Sequence, residues 1–164
     1  MSEHLKPAVL PSPDWKNPIH LLAFGFGSGA APKAPGTWGT AAALIPYLFL
    51  AELPLLPYLA VIAVSFIAGI YICGRTAEDL GVHDHGGIVW DEFVGLWITL
   101  IAVPGHWSWI LAGFVLFRFF DIIKPWPISW ADKQVSGGLG IMLDDVIAGI
   151  FAWGCLQLGV LLIL

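Results

Sequence analysis

The sequence predicts an all-α membrane protein: a polytopic helical bundle of four or five transmembrane segments, preceded by an N-terminal re-entrant or interfacial helix. Of its 164 residues, 58% are hydrophobic and 12% are charged, whereas about 25% of the residues in soluble domains are charged. The mean hydropathy is +0.82. Short turns rich in proline and glycine divide this apolar chain into segments of helical length.

The apolar runs predict the order of elements along the chain. Residues 1–17 are polar and rich in proline, and we expect a flexible tail there, followed by a single membrane-embedded domain over residues 18–164. The run at 19–31 is interrupted by glycines and is too short to cross a hydrocarbon core of about 30 Å, which favours the re-entrant or interfacial helix. The predicted spans cover residues 36–51, 55–74, 91–103, 107–123 and 144–164. The first and third of these spans are short for a full crossing.

The basic residues predict which side of the membrane each loop faces, because cytoplasmic loops are enriched in Lys and Arg. Placing the N-terminus inside leaves no basic residue in the turns at 52–54 and 104–106 or at the C-terminus. The basic residues on or near the cytoplasmic side are then Lys6, Lys16, Lys33, Arg75, Lys124 and Lys133. The same topology gathers most of the acidic residues in or beside the two inner loops.

Two acidic pairs differ from loose surface acids. Asp91-Glu92 and Asp144-Asp145 are each predicted to open an apolar helix, and each pair is followed by a glycine, Gly95 or Gly149, that lets another backbone approach. Carboxylates from two helices make an oxygen-rich site suited to Mg²⁺. Acids are also favoured in any first helical turn by the helix dipole, so either pair alone has a purely structural explanation. Two pairs in one inner cluster favour the metal site.

Other polar residues near the predicted inner face suit phosphate. The glycine-rich segment 25–40 contains Thr37 and Thr40 and leads into a helix, where glycines and a helix N-terminus favour an anion, although the spacing of a P-loop is missing. Arg118, Asp121 and Lys124 follow one side of a helix. They predict either an ion-pair ladder or a phosphate-binding arginine.

The loop GVHDHGG contains two histidines that flank Asp84. His83 and His85 lack the helical spacing of a zinc protease site. Histidine is the side chain most used to shuttle protons near neutral pH, so either residue is a candidate proton shuttle, and a solvated loop histidine is the alternative.

Composition and motifs also weigh against other functions. Seven Lys and Arg residues spread along an acidic chain do not form a nucleic-acid surface, so we expect membrane lipid and no nucleic acid as a partner. Cys73 and Cys155 have neither a redox nor a metal-ligand spacing. A cation transporter or channel is the main alternative, because inward-facing acids near a membrane also mark ion pathways. A purely structural membrane subunit is a third interpretation.

The assembled motifs resemble the bacterial phosphatidylglycerophosphatase A family. The matching stretches are GFGSG with PGTWGT, then GVHDHGGIVWDE, then KPWPI after RFFD, and finally GGLGIMLDD, in the family's order from about residue 17 to residue 150. The resemblance implies a Mg²⁺-dependent enzyme of the bacterial inner membrane. Such an enzyme hydrolyses phosphatidylglycerophosphate to phosphatidylglycerol, the precursor of cardiolipin, at the cytoplasmic face.

The resemblance also implies an acidic site with polar helpers, within which we predict individual roles. The predicted metal ligands are Asp91, Glu92, Asp144 and Asp145. The predicted substrate-binding residues are Thr37, Thr40, His83, Arg118 and Lys124. Asp84 or Asp121 is expected to activate water or to attack phosphorus directly, with His85 as a further catalytic group. The oligomeric state stays open.

Overall fold

The computed structural model describes residues 11–163, and within them every regular element is helical. A short 3-10 segment, Gly25–Ala30, follows the first helix. The α-helices are α1 Pro18–Ala23, α2 Pro35–Leu50, α3 Leu55–Leu80, α4 Trp90–Thr99, α5 Trp107–Ile123, α6 Ile128–Gln134 and α7 Gly137–Ile163. The all-α prediction is confirmed for this part of the chain. Residues 1–10 of the predicted tail lie outside the described residues.

Local sequence explains where several helices begin and end. The Asn17 side chain accepts a hydrogen bond from the Ile19 amide at 2.9 Å, and Pro18 occupies the first turn of α1. Helix α2 likewise begins at a proline, Pro35. Helix α3 ends at Gly81, whose φ of +67° is a left-handed conformation that glycine adopts readily. The predicted starts at residues 36 and 55 agree with the observed starts of α2 and α3 to within one residue, whereas α3 continues six residues past its predicted end at residue 74.

Helix α4 is the centre of the bundle. Every residue from Glu92 to Thr99 is buried, and the helix packs against α2, α3, α5 and α7. The Trp97 indole donates to the Ala43 carbonyl oxygen at 3.0 Å, and the Tyr58 hydroxyl donates to the Trp97 carbonyl oxygen at 2.6 Å. Helix α4 is therefore covered by its neighbours. Because it has only 10 residues, it is about 15 Å long.

Helices α4 and α7 cross at two glycines. A Cβ atom added to Gly149 would lie 2.5 Å from the Gly95 carbonyl oxygen, and one added to Gly95 would lie 2.9 Å from the Asp145 carbonyl oxygen. The Thr99 hydroxyl spans the crossing, with oxygen distances of 3.0 Å to the Gly95 carbonyl and 3.3 Å to the Gly149 carbonyl. The predicted close approach at these glycines is confirmed.

We expect Gly149→Ala to destabilise the protein by about 2 kcal/mol, because the added methyl group would meet backbone atoms that cannot move independently. Gly154→Ala is the matched control on the same helix, since nothing lies within 4 Å of a Cβ there. The control is expected to change stability by less than about 1 kcal/mol. Thermal unfolding in detergent measures both. Equal effects of the two substitutions would contradict the close crossing.

Two helices are long and apolar enough to cross a membrane, α3 with 26 residues and α7 with 27. Both present apolar side chains to their surroundings, including Val64, Ile67 and Leu161, which are more than half exposed. Such outward apolar surface is consistent with membrane association. The predicted four or five crossings and the re-entrant helix stay predictions, because α2, α4 and α5 are shorter helices of 16, 10 and 17 residues.

The sequence placed the start of α7 incorrectly. The glycine-rich residues 137–143, expected to be a loop, form its first two turns, and Asp144 follows within the helix. These glycines let α7 approach α3, since a Cβ at Gly138 would overlap the Ile70 carbonyl oxygen. Close helix packing therefore overrides the low helix propensity of glycine. Helix α6 was not predicted either.

Candidate functional site

Carboxylates from three helices converge at one place. Asp91, Glu92 and Asp145 can bring one oxygen each within 4.8 Å of one another, and so can Asp121, Asp144 and Asp145. Asp145 belongs to both groups. The pairs at 91–92 and 144–145, which are far apart in sequence, therefore lie together as predicted.

The crossing of α4 and α7 positions these acids. Asp91 and Glu92 lie in the first turn of α4, one turn before Gly95, and Asp145 lies one turn before Gly149. Asp144 and Asp145 do not open their helix, so the argument that a helix N-terminus stabilises their charge does not apply to them. Their positions depend on the packing of α7 against α4 and α5.

The donor atoms present suit a hard cation. Three carboxylate oxygens, Glu92 Oε2, Asp144 Oδ1 and Asp145 Oδ2, are buried without a hydrogen-bond partner among the described residues. Burying unpaired carboxylates is costly unless an ion or a proton compensates them. Oxygen ligands from several carboxylates are the type that Mg²⁺ prefers. The residues therefore fit the predicted divalent cation.

Two basic side chains border the carboxylates. Arg118 pairs with Asp121 and lies 3.7 Å from Glu92 Oε1, while its buried Nε has no partner among residues 11–163. Lys124 donates to Asp132 and to Asp144, both at 2.6 Å. Partial burial alone lowers the pKa of Lys124, but these two hydrogen bonds outweigh it and raise the pKa. Of the ion-pair ladder predicted on α5, the Arg118–Asp121 pair is therefore present, whereas Lys124 pairs with Asp132 and Asp144.

The N-terminus of α2 reaches the same site. A Cβ at Gly36 would lie 3.1 Å from both terminal nitrogens of Arg118 and would overlap Glu92 Oε1. Thr37 follows in the first helical turn and is partly exposed. The buried Thr40 hydroxyl donates to the Gly36 carbonyl oxygen at 2.7 Å, so it is used within the helix, which argues against its predicted contact with substrate. Gly36 itself was missed, although its motif was recognised.

A small cavity of about 40 Å³ opens beside the carboxylates. Residues lining it include His83 and Asp84 from the loop before α4, together with Asp91, Asp132 and Asp144. The hydrogen bond between Asp132 and Lys124 shows that Asp132 belongs to the site's charge network. Its spacing from Lys124, eight residues across two prolines, offered no periodic signal.

Both ring nitrogens of His85 bind backbone groups. Its Nδ1 accepts a hydrogen bond from the Gly87 amide at 3.0 Å, so its Nε2 carries the proton and donates to the Pro11 carbonyl oxygen at 3.1 Å. The ring packs on Phe24 with the centroids 5.2 Å apart. Both ring nitrogens are occupied by backbone groups, which argues against the predicted catalytic role and gives His85 a structural one.

Comparison with known proteins places the chain in a family. The family model described as Phosphatidylglycerophosphatase A matches residues 21–160. Phosphatidylglycerophosphatase A of Escherichia coli (strain K12) is 53% identical over 141 residues, which cover 85% of this chain and 82% of that protein. The Haemophilus influenzae protein of the same name is 54% identical over 138 residues, covering 83% of this chain and 85% of the relative.

A more distant relative has a different name. A Bacteroides thetaiotaomicron protein, whose name refers to a phosphatidylinositol-3-phosphatase, is 39% identical over 143 residues, covering 81% of this chain and 87% of its own. No solved structure gives a significant match. With the family model spanning most of the helical bundle, the chain belongs to the phosphatidylglycerophosphatase A family.

Proposed function

We propose that the protein hydrolyses phosphatidylglycerophosphate to phosphatidylglycerol and inorganic phosphate, with Mg²⁺ as its cofactor. Two groups of three carboxylates, which we call the first triad (Asp91, Glu92 and Asp145) and the second triad (Asp121, Asp144 and Asp145), share Asp145. Their meeting beside Arg118, in a chain of this family, is the observation that supports the proposal most strongly. A phosphate monoester resists hydrolysis so strongly that positioning and charge neutralisation must supply most of the acceleration. The described site contains groups for both.

Different residues would bind the cation and the phosphate. Asp91, Glu92, Asp144 and Asp145 would hold Mg²⁺, and Asp121 joins them because its oxygen lies within 4.8 Å of those of Asp144 and Asp145. When bound, Mg²⁺ supplies neutralisation of the phosphate's negative charge. The Thr37 hydroxyl at the start of α2 and Arg118, whose Nε has no partner within residues 11–163, are the proposed donors to phosphate oxygens.

Among the two candidate catalytic acids, the contacts favour Asp84 as the general base. Asp121 is paired with Arg118, whereas Asp84 is exposed and lines the cavity with Asp91 and Asp144. Asp84 would take a proton from water while the water oxygen forms its bond to phosphorus. The bond between phosphorus and the glycerol oxygen breaks, and His83 of the same cavity would protonate that oxygen.

Membrane placement follows from the charges at the two ends of the bundle. With α3 and α7 crossing the bilayer, the acids and Lys124 lie toward the end that we assign to the cytoplasm. Helices α2, α4 and α5 would complete the four or five predicted crossings, with α1 and Gly25–Ala30 at the interface. The relatives' bacterial origin supports the inner membrane. A cation transporter or channel gains no support from the comparisons.

The test is an activity assay of the purified protein in detergent micelles. The substrates are phosphatidylglycerophosphate, phosphatidic acid, phosphatidylinositol 3-phosphate and a water-soluble phosphate monoester, each with Mg²⁺ and with EDTA. We expect kcat/KM for phosphatidylglycerophosphate to exceed the other values by at least about 100-fold. EDTA is expected to abolish turnover, and added Mg²⁺ to restore it. Metal-independent turnover, or equal turnover of all four substrates, would reject the proposal.

A further inference from the structure

A groove runs along α2 on the side opposite the bundle core. One cavity of about 810 Å³ lies between α2 and the segment 27–33, and a second of about 500 Å³ adjoins it. The two cavities share Ser28, Ala42 and Ile45, and we call them together the α2 groove. Each of the two volumes is in the range of sites that bind small molecules.

The chemistry of the α2 groove is apolar along its length and basic at one point. Trp38, Ala41 and Ile45 lie on the outer face of α2, and Phe49 continues the same face into the second cavity. Among the described residues, Lys33 is the only charged one that lines either cavity. Among the ion pairs of residues 11–163, none involves Lys33. A ligand with a hydrocarbon chain and an anionic group complements this arrangement.

The α2 groove begins near the carboxylate site along the chain. Lys33 precedes Gly36 by three residues, which span at most about 11 Å. Gly36 lies against Glu92 and the terminal nitrogens of Arg118. Helix α2 therefore contacts the site through its buried face at Gly36 and lines the groove through its outer face.

One strained residue borders the second cavity. Phe26 has a φ of +57°, in the left-handed region that non-glycine residues rarely adopt, and its side chain is 64% exposed. Burial within the fold does little to offset this conformational cost, and such outliers cluster where ligands bind. The ring is positioned to pack against a molecule in the groove.

We propose that the α2 groove holds an acyl chain of the phospholipid substrate, while Lys33 pairs with the phosphodiester next to the glycerol backbone. The assignment rests on the proposed lipid phosphatase function. Phosphatidylglycerophosphate has a phosphodiester and a terminal phosphate monoester, and the groove would place the second at Arg118 and the carboxylates. Because bilayer hydrocarbon is as apolar as the groove, the groove contributes positioning rather than hydrophobic binding energy.

The kinetic test compares Ile45→Trp with Ile67→Trp. The two isoleucines are equally exposed, at 66% and 68%, but Ile67 lies on α3 away from the groove. For Ile45→Trp, which fills the groove, we expect the ratio of kcat/KM for dioleoyl to dibutanoyl phosphatidylglycerophosphate to fall about tenfold. Ile67→Trp should keep the parent ratio within about twofold. Equal ratios in both variants would overturn the assignment while leaving the phosphatase function standing.

A second measurement does not depend on turnover. A phosphatidylglycerophosphate with a diazirine in its acyl chain is photolysed on the parent protein in EDTA, and the labelled peptides are mapped by mass spectrometry. Labelling within residues 26–49 that unlabelled phosphatidylglycerophosphate prevents and phosphatidylcholine does not would support the proposal. Equal competition by both lipids would indicate bulk lipid, and labelling elsewhere or a cross-link between two copies would also overturn it. Lys33→Gln should weaken the specific competition.

Discussion

Asp145→Asn is expected to lower kcat/KM by about 1000-fold or more while leaving the unfolding temperature unchanged or raised. Asp145 contributes an oxygen to both carboxylate triads and is only 2% exposed. The neutral amide keeps the shape of the side chain but removes a charge from each triad, so cation binding should weaken most at this position. Removing one of several crowded buried carboxylates should relieve repulsion, and active sites commonly trade stability for function in this way.

Glu78→Gln is the matched control for Asp145→Asn. It also neutralises one carboxylate, but the Glu78 side chain is 75% exposed and its ion pair with Arg75 is long, at 3.9 Å. Activity of the control should stay within about twofold of the parent. Activity and thermal unfolding are measured over a Mg²⁺ titration. If Asp145→Asn retained activity within tenfold of the parent at every Mg²⁺ concentration, the proposal that Asp145 holds the cation as a member of both triads would be contradicted.

Arg118→Gln should lower both activity and stability. We expect a loss in kcat/KM of about 100- to 1000-fold, the usual effect of removing a positioned donor from developing negative charge. We also expect destabilisation of about 3 kcal/mol, because Glu92 and Asp121 would lose their basic partner in a poorly hydrated site. Arg118→Lys should be intermediate, since it keeps the charge and loses the planar guanidinium.

A double variant separates the two effects of Arg118. Adding Asp121→Asn to Arg118→Gln removes the unpaired charge as well, so stability should recover by more than half. Activity should not recover, because both the phosphate donor and a carboxylate of the second triad are then missing. Recovery of activity together with stability would mean that Arg118 acts only as the structural partner of Asp121.

Residues whose structural role depends on the backbone at their own position were interpreted correctly from the sequence. The prolines placed the starts of α2 and α3, and the glycines after each acidic pair marked the helix crossing that brings Asp91 and Glu92 to Asp145. The family resemblance rested on motifs that include the start of α2 and both acidic pairs, and the comparisons confirm it over residues 21–160. At this crossing only glycine avoids a clash with the facing backbone, so the close approach leaves a signal in the sequence.

Side-chain partners were harder to predict. His85 looked like a proton shuttle, but its two nitrogens bind the backbone at Gly87 and Pro11. Lys124 looked like a phosphate ligand, but it joins Asp132 to Asp144. Each of these interactions depends on a segment that is remote in sequence or on a loop without periodicity, so no local pattern distinguishes an occupied polar group from a free one.

The sequence by itself determined the helical class, the apolar character, the family and the residue types available for a phosphate and a cation. Those properties follow from composition and local spacing, which do not depend on how the helices pack. The tertiary structure alone decided that α7 begins two turns before Asp144, that Asp145 serves both triads, and that the start of α2 meets Arg118. These relations depend on which helices pack together, because distances between remote residues are set by interhelical contacts rather than by the chain between them.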